Sequence, residues 1–278
     1  MDPASIGNRT QTTPLNKSIT IHSFKGGTGK SNLSANSAFA LAKRGWNVVL
    51  LDFDFRAPSL NALFQMNGIK YWINDWLAQR CELYEVLIDL SGQFNTKGRF
   101  QVGFTNPSGK AINEMTMHSL DEEWQARVLQ LVLDGKDLLF DRYGVNFQIF
   151  DTSPGFAMSS INAILASNEL ILVIKMDQLD IVGTHHLIRG VYNNTLGKKP
   201  ELIVNKVPCS MLTSPDDYQR LEKDLYKKLG VKIIGIIPCF CEVMENMSQN
   251  LFVQLHPNHQ FSHSIEELAL HFESGTFR

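Results

Sequence analysis

Along most of the chain, short and nearly unbroken apolar runs alternate with longer segments whose apolar residues recur every third or fourth position. Runs of the first kind fit strands buried on both faces of a parallel sheet, and segments of the second kind fit helices laid against it. Strands are expected at 19–21, 47–51, 100–105, 147–151, 169–175, 201–206 and 232–237. Between the first two, Ser34, Ala35, Ala38, Leu41 and Ala42 share a helical face that Gly45 closes, and a long amphipathic helix is expected around 121–142. A last helix at 261–272 sets Ile265, Leu268, Ala269 and Phe272 against Glu266, Glu267 and Glu273. Residues 1–18 show neither periodicity and read as an N-terminal arm, leaving 19–278 as one domain. The fold class expected is α/β, a doubly wound, mostly parallel sheet flanked by helices.

Composition narrows the function classes. A chain of 278 residues, 44% of them hydrophobic, supports a sizeable core. Its net charge of −2 supplies no global field toward nucleic acid or anionic lipid. Lys223, Lys227, Lys228 and Lys232 are the candidate local patch for non-specific DNA, but Glu222 and Asp224 interleave them, as in a solvated helix face. Four irregularly spaced cysteines make no disulfide framework, and no basic-then-apolar secretory pattern opens the chain, so a reducing cytoplasm is expected. No apolar run approaches the roughly 18 to 20 residues of a membrane span. Trp72, Trp76 and Tyr84 are read as packing between helices and sheet, with a partner surface as the alternative.

Chemistry concentrates at strand ends. Ser23 to Ser31 read Ser-Phe-Lys-Gly-Gly-Thr-Gly-Lys-Ser between the first strand and the first helix, the context of a phosphate-binding loop. Gly26, Gly27 and Gly29 let backbone N–H groups, including that of Thr28, converge on phosphate oxygens, and the helix N-terminus adds its positive end. Lys30 would reach the β- and γ-phosphates and Ser31 would ligate Mg²⁺, while Lys25 supplies a second cation. The second strand ends in Asp52-Phe53-Asp54 and the fourth in Asp151-Thr152-Ser153-Pro154-Gly155. Ligands of parallel sheets bind beyond such carboxyl ends, so all three carboxylates face the loop. Asp151 suits Mg²⁺, and the Pro154-Gly155 turn suits a γ-phosphate sensor. The strand at 201–206 ends in Asn205-Lys206, where the Asn205 amide carries both the donor and the acceptor that read an adenine edge.

The lysine ahead of the glycines in Lys25-Gly26-Gly27-Thr28-Gly29-Lys30-Ser31 makes the chain resemble the ParA/MinD family of deviant Walker-A ATPases. That resemblance covers 19 to about 272 and implies a P-loop ATPase that uses ATP and Mg²⁺, dimerises with ATP and positions or segregates a cargo. It also implies an activating protein partner, with DNA or a membrane as possible binding surfaces. By the same resemblance Asp54 orients the hydrolytic water, Asp52 supports the magnesium shell, and Lys25 crosses to the nucleotide of a partner subunit. Asn205, Lys206, Ile237 and Pro238 would line the base site. Ile237, Pro238 and Val243 match the family's Ile-Pro-x-Asp-x-x-Val, with Phe240 in place of the aspartate. MinD proteins end in a basic membrane-targeting helix, whereas the tail here is acidic and reads as a docked helix.

Two further likenesses give alternatives. Arg56 to Leu60 and Ile73 to Leu77 resemble bacterial tyrosine kinases, although Tyr226 is the last tyrosine and no tyrosine-rich tail follows it. Cys239 and Cys241 resemble, at different spacing, the cysteine pairs of iron–sulfur scaffold ATPases. Two such thiols on extended chain project to opposite sides, so a shared metal needs a turn or a second subunit.

Overall fold

A computed structural model describes residues 15–274. Eight strands form one sheet: β1 (Lys17–His22), β2 (Val48–Phe53), β3 (Leu87–Asp89), β4 (Phe100–Gly103), β5 (Phe147–Thr152), β6 (Glu169–Lys175), β7 (Glu201–Val207) and β8 (Ile233–Pro238). Their order is β3-β4-β2-β5-β1-β6-β7-β8, parallel throughout except where β3 runs against β4. The longer helices are α1 (Lys30–Arg44), α2 (Gly109–His118), α3 (Glu122–Asp141), α4 (Met158–Ala166), α5 (Gln178–Leu187), α6 (Pro215–Leu229) and α7 (Gln260–Ser274). No described helix is long and apolar enough to cross a membrane.

β1 lies at the centre between β5 and β6, and the chain winds outward from it in both directions. The crevice this opens at the carboxyl ends of β1, β2 and β5 is where such sheets bind ligands. Every residue of β2 and β5 is buried, as near-continuous apolar runs require when helices cover both faces. Small residues let α1 press close to the sheet: Ser34, Ala35, Ser37, Ala38, Ala40 and Ala42 are all buried. Its far side is covered by α7, whose Phe261, Ile265, Leu268, Ala269 and Phe272 join Phe39 and Leu41 in one apolar cluster. Glu273 clamps the pair from outside, accepting hydrogen bonds from Arg44 and, at 2.8 Å, from Trp46 Nε1. The acidic tail is thus a docked helix.

Three features depart from the sequence expectation. β1 begins at Lys17, two residues before the expected start, because Ser18 and Asn168 exchange hydrogen bonds at 2.9 and 3.0 Å and so satisfy a polar strand entrance. Residues 1–14 of the expected arm lie outside the described residues. β3 was not expected, since three residues on a half-exposed edge carry no readable period. Of the aromatic trio, Trp76 is buried in the cluster beneath α3, Trp72 is half-buried, and Tyr84 is 55% exposed.

Candidate functional site

The turn from β1 to α1 makes the cradle. Gly29 caps α1 at φ 94°, a left-handed conformation, and a Cβ there would stand 2.5 Å from Asn205 Nδ2, so no other residue fits. Asn205 donates from that Nδ2 to the Thr28 carbonyl at 2.8 Å, and Lys206 Nζ donates to the Gly27 carbonyl at 2.9 Å. The end of β7 therefore holds the loop by its carbonyls. Asn205 and Lys206 are thus loop clamps, and both also line a cavity beside Gly29. Phe24 packs so tightly on α5 that a Cβ on Gly183 would fall 1.9 Å from its ring. The Gly155 N–H donates to Ser23 O at 2.9 Å, tying the turn after β5 to the same loop.

Lys30 is 7% exposed, and burial lowers its pKa against the opposing pull of Asp151, Asp54 and Asp180. Asp52 and Asp151 are register partners on β2 and β5, and both are fully buried. Burial pushes the Asp151 carboxyl up to about 6, opposed by Lys30 and by a hydrogen bond from Ser31. Ser34 Oγ donates to Asp151 Oδ1 at 3.2 Å, while Asp151 Oδ2 has no hydrogen-bond partner among the described residues. Burial and then the Asp151 charge raise the Asp52 carboxyl well above the usual carboxylate range. Its Oδ1 accepts the Asp54 N–H at 3.1 Å, and its Oδ2 is likewise orphaned. Thr28 Oγ1 and Asp180 Oδ1 complete a set of buried polar atoms without partners around the cradle. Such atoms cost on the order of 1–3 kcal/mol each when unmet. Hard oxygen donors beside such a loop fit a magnesium-bound phosphate, which Ser31 and Asp151 would hold with Asp52 behind them.

Asp54 links the two loops beyond the sheet. Its Oδ1 accepts the N–H groups of Arg56 at 3.2 Å and Ala57 at 3.0 Å, and the Ser153 hydroxyl at 2.7 Å. Lys25 reaches Asp177 of its own chain at 3.5 Å, and Asp177 also caps α5 by accepting from the N–H groups of Leu179 and Asp180. Ser153, Asp177 and Asp180 were not singled out from the sequence. The signals were an N-cap aspartate opening α5 and a serine directly behind Asp151-Thr152. Buried His22 was also missed: its Nδ1 lies 2.8 Å from Thr152 Oγ1 at the base of the loop.

A cavity of about 260 Å³ beside Gly29 is lined by Asn32, Asn205, Lys206, Pro238, Cys239 and Phe240. Its size and its place next to the cradle suit a nucleobase. Ile237 is buried and lines a neighbouring cavity instead. Phe240 stands edge-on to His259, with ring centroids 4.9 Å apart, so apolar packing occupies the position expected for an aspartate. Among the described residues no group of three or more His, Cys, Asp or Glu side chains is placed to hold a metal, Cys239 and Cys241 included.

The profile described as the CobQ/CobB/MinD/ParA nucleotide binding domain matches residues 19–253. The chloroplastic septum site-determining protein MinD homolog of Arabidopsis thaliana is 25% identical over 240 residues, covering 83% of this chain and 66% of that protein. The flagellum site-determining protein YlxH of Helicobacter pylori is 24% identical over 261 residues, covering 91% of this chain and 80% of its own. This chain therefore spans just under two thirds of the first relative and a larger share of the second. MinD of Pyrococcus horikoshii, solved in complex with Mg-ADP, superposes with a TM-score of 0.71 at 18% identity, covering 93% of this chain and 96% of that one. That likeness shows the fold, and the profile match over most of the chain shows the family: this chain belongs to the CobQ/CobB/MinD/ParA nucleotide-binding domains.

Proposed function

We propose that this protein is a Mg·ATP-dependent switch that hydrolyses ATP, dimerises in the ATP state and so positions or segregates a cargo. The observation that carries the reading is the Asp54 carboxylate bonded to Ser153, which couples the loop after β2 to the loop after β5 beside a buried, inward-facing Lys30. Lys30 and the loop N–H groups bind the β- and γ-phosphates, and Ser31 and Asp151 hold the metal. Magnesium, when bound, neutralises phosphate charge. Asp54 positions the attacking water, and release or repositioning of the Ser153 bond reports the γ-phosphate to both loops. In the dimer Lys25 leaves Asp177 and offsets charge on the nucleotide of the facing subunit. Positioning is supported by the names of the relatives, one a septum-site and one a flagellum-site determinant.

Sizing the purified protein with ATP, ADP and no nucleotide tests this, with Asp54→Ala to hold the ATP state. A dimer only with ATP supports the switch. Unchanged ATP binding in Lys30→Ala sinks it.

A further inference from the structure

β8 is the last strand of the sheet, and among the described residues no strand pairs with its outer side. Alternate N–H and C=O groups of an edge strand point outward, a template for another extended chain unless something covers it. Here nothing described does. A cavity of about 380 Å³ runs along Ile233, Gly235, Ile236, Ile237 and Pro238, walled by Tyr218 and Glu222 of α6 and by His263 and Glu267 of α7. Gly235 is half-exposed in mid-strand, and a Cβ there would stand 3.3 Å from Leu268 Cδ2 of α7. Both carboxylates on the rims of the groove are exposed and lack an ion pair among the described residues. Of the cations on the surrounding elements, Arg44 pairs with Glu266 and Glu273, Lys232 with Glu201 and Arg220 with Asp217, while Lys223 beside Glu222 is exposed.

We propose that this groove receives an extended, basic peptide segment of a protein partner, which adds a ninth strand beside β8. Main-chain hydrogen bonds to the β8 edge supply affinity, and Glu222 and Glu267 select arginine or lysine on the incoming strand. The charges also argue against a second copy as occupant. Pairing β8 with β8 would bring the glutamates of both copies into one seam, where like charges oppose each other. Pro238 and Phe240 line both this groove and the cavity beside Gly29, so the docked strand touches residues that also border the base site.

The test uses the full chain and two fluorescein-labelled octapeptides of alternating valine and threonine, one ending in two arginines and the other in two glutamates. Anisotropy is expected to show the arginine peptide binding roughly tenfold more tightly at low salt, with the gap closing as salt rises. Hydrogen exchange is expected to slow at β8 on binding. The double reversal Glu222→Lys/Glu267→Lys, at exposed helix positions that leave the core intact, is expected to invert the preference. Equal binding of the two peptides, a reversal without effect, or protection that spares β8 overturns the proposal. Protection, without peptide, of the β8 amides that point away from β7 also overturns it: at every dilution it would mean the remaining residues of the chain fill the groove, and only at high concentration a second copy.

Discussion

Asp54 Oδ1 collects three hydrogen bonds, two from backbone and one from the Ser153 hydroxyl, and only the last is removable without disturbing the main chain. A hydrogen bond to a charged group contributes about 1.5–3 kcal/mol. Ser153→Ala is therefore expected to slow single-turnover ATP hydrolysis roughly tenfold or more while ATP binding persists, since the phosphate cradle is untouched. Loss of binding in parallel with rate would assign Ser153 to the cradle instead. His22 gives a second residue-scale prediction. Burial, then the Lys30 charge, lowers its pKa from 6.5 to about 3, so it stays neutral in the fold where the unfolded chain takes up a proton. Its contribution is complete above about pH 6.5 and falls away as pH drops toward 3. His22→Asn keeps a polar group near Thr152 Oγ1 and does not titrate. The urea midpoint of that variant is expected to fall less between pH 7 and 4 than that of the parent chain.

At the scale of elements, α1 is held from two sides. Phe272 of α7 is fully buried against it, and truncating such a ring costs about 3–5 kcal/mol. Phe272→Ala is expected to lower the urea midpoint accordingly, and a change within a few tenths of a kcal/mol would mean α7 contributes little to the fold. The apolar spacing of 261–272 made this helix readable, because its period reports the face it buries. The same holds for the buried strands and for Gly29 and Lys30, whose roles follow from residue type and local order. Asp177, Ser153 and His22 were not readable in that way. Each acts on a residue far along the chain, Asp177 on Lys25, Ser153 on Asp54 and His22 on Thr152, and no local period encodes such adjacency. Asn205 was singled out from the sequence, but its clamp on the Thr28 carbonyl depends on β7 reaching the loop from across β6.

For the whole molecule, the proposed switch turns on where Lys25 points. In the single chain it sits 3.5 Å from Asp177, with both side chains about a third exposed or more, and exposed pairs of that kind hold weakly. The tether would thus be a small barrier to the proposed dimerisation. The Lys25 charge itself matters more to the dimer, since it would meet phosphate in a site that excludes water. Mutation separates the two effects. Asp177→Asn keeps an acceptor for the Leu179 and Asp180 N–H groups and so preserves the α5 cap, while releasing Lys25. On an Asp54→Ala background with ATP, Asp177→Asn is expected to tighten the dimer by no more than about fivefold. Lys25→Ala is expected to leave the protein monomeric at the same concentration, with ATP binding retained through Lys30. Sedimentation velocity across a concentration series reads both. A Lys25→Ala protein that still dimerises with ATP would place the subunit contact elsewhere and reduce Lys25 to a surface partner of Asp177.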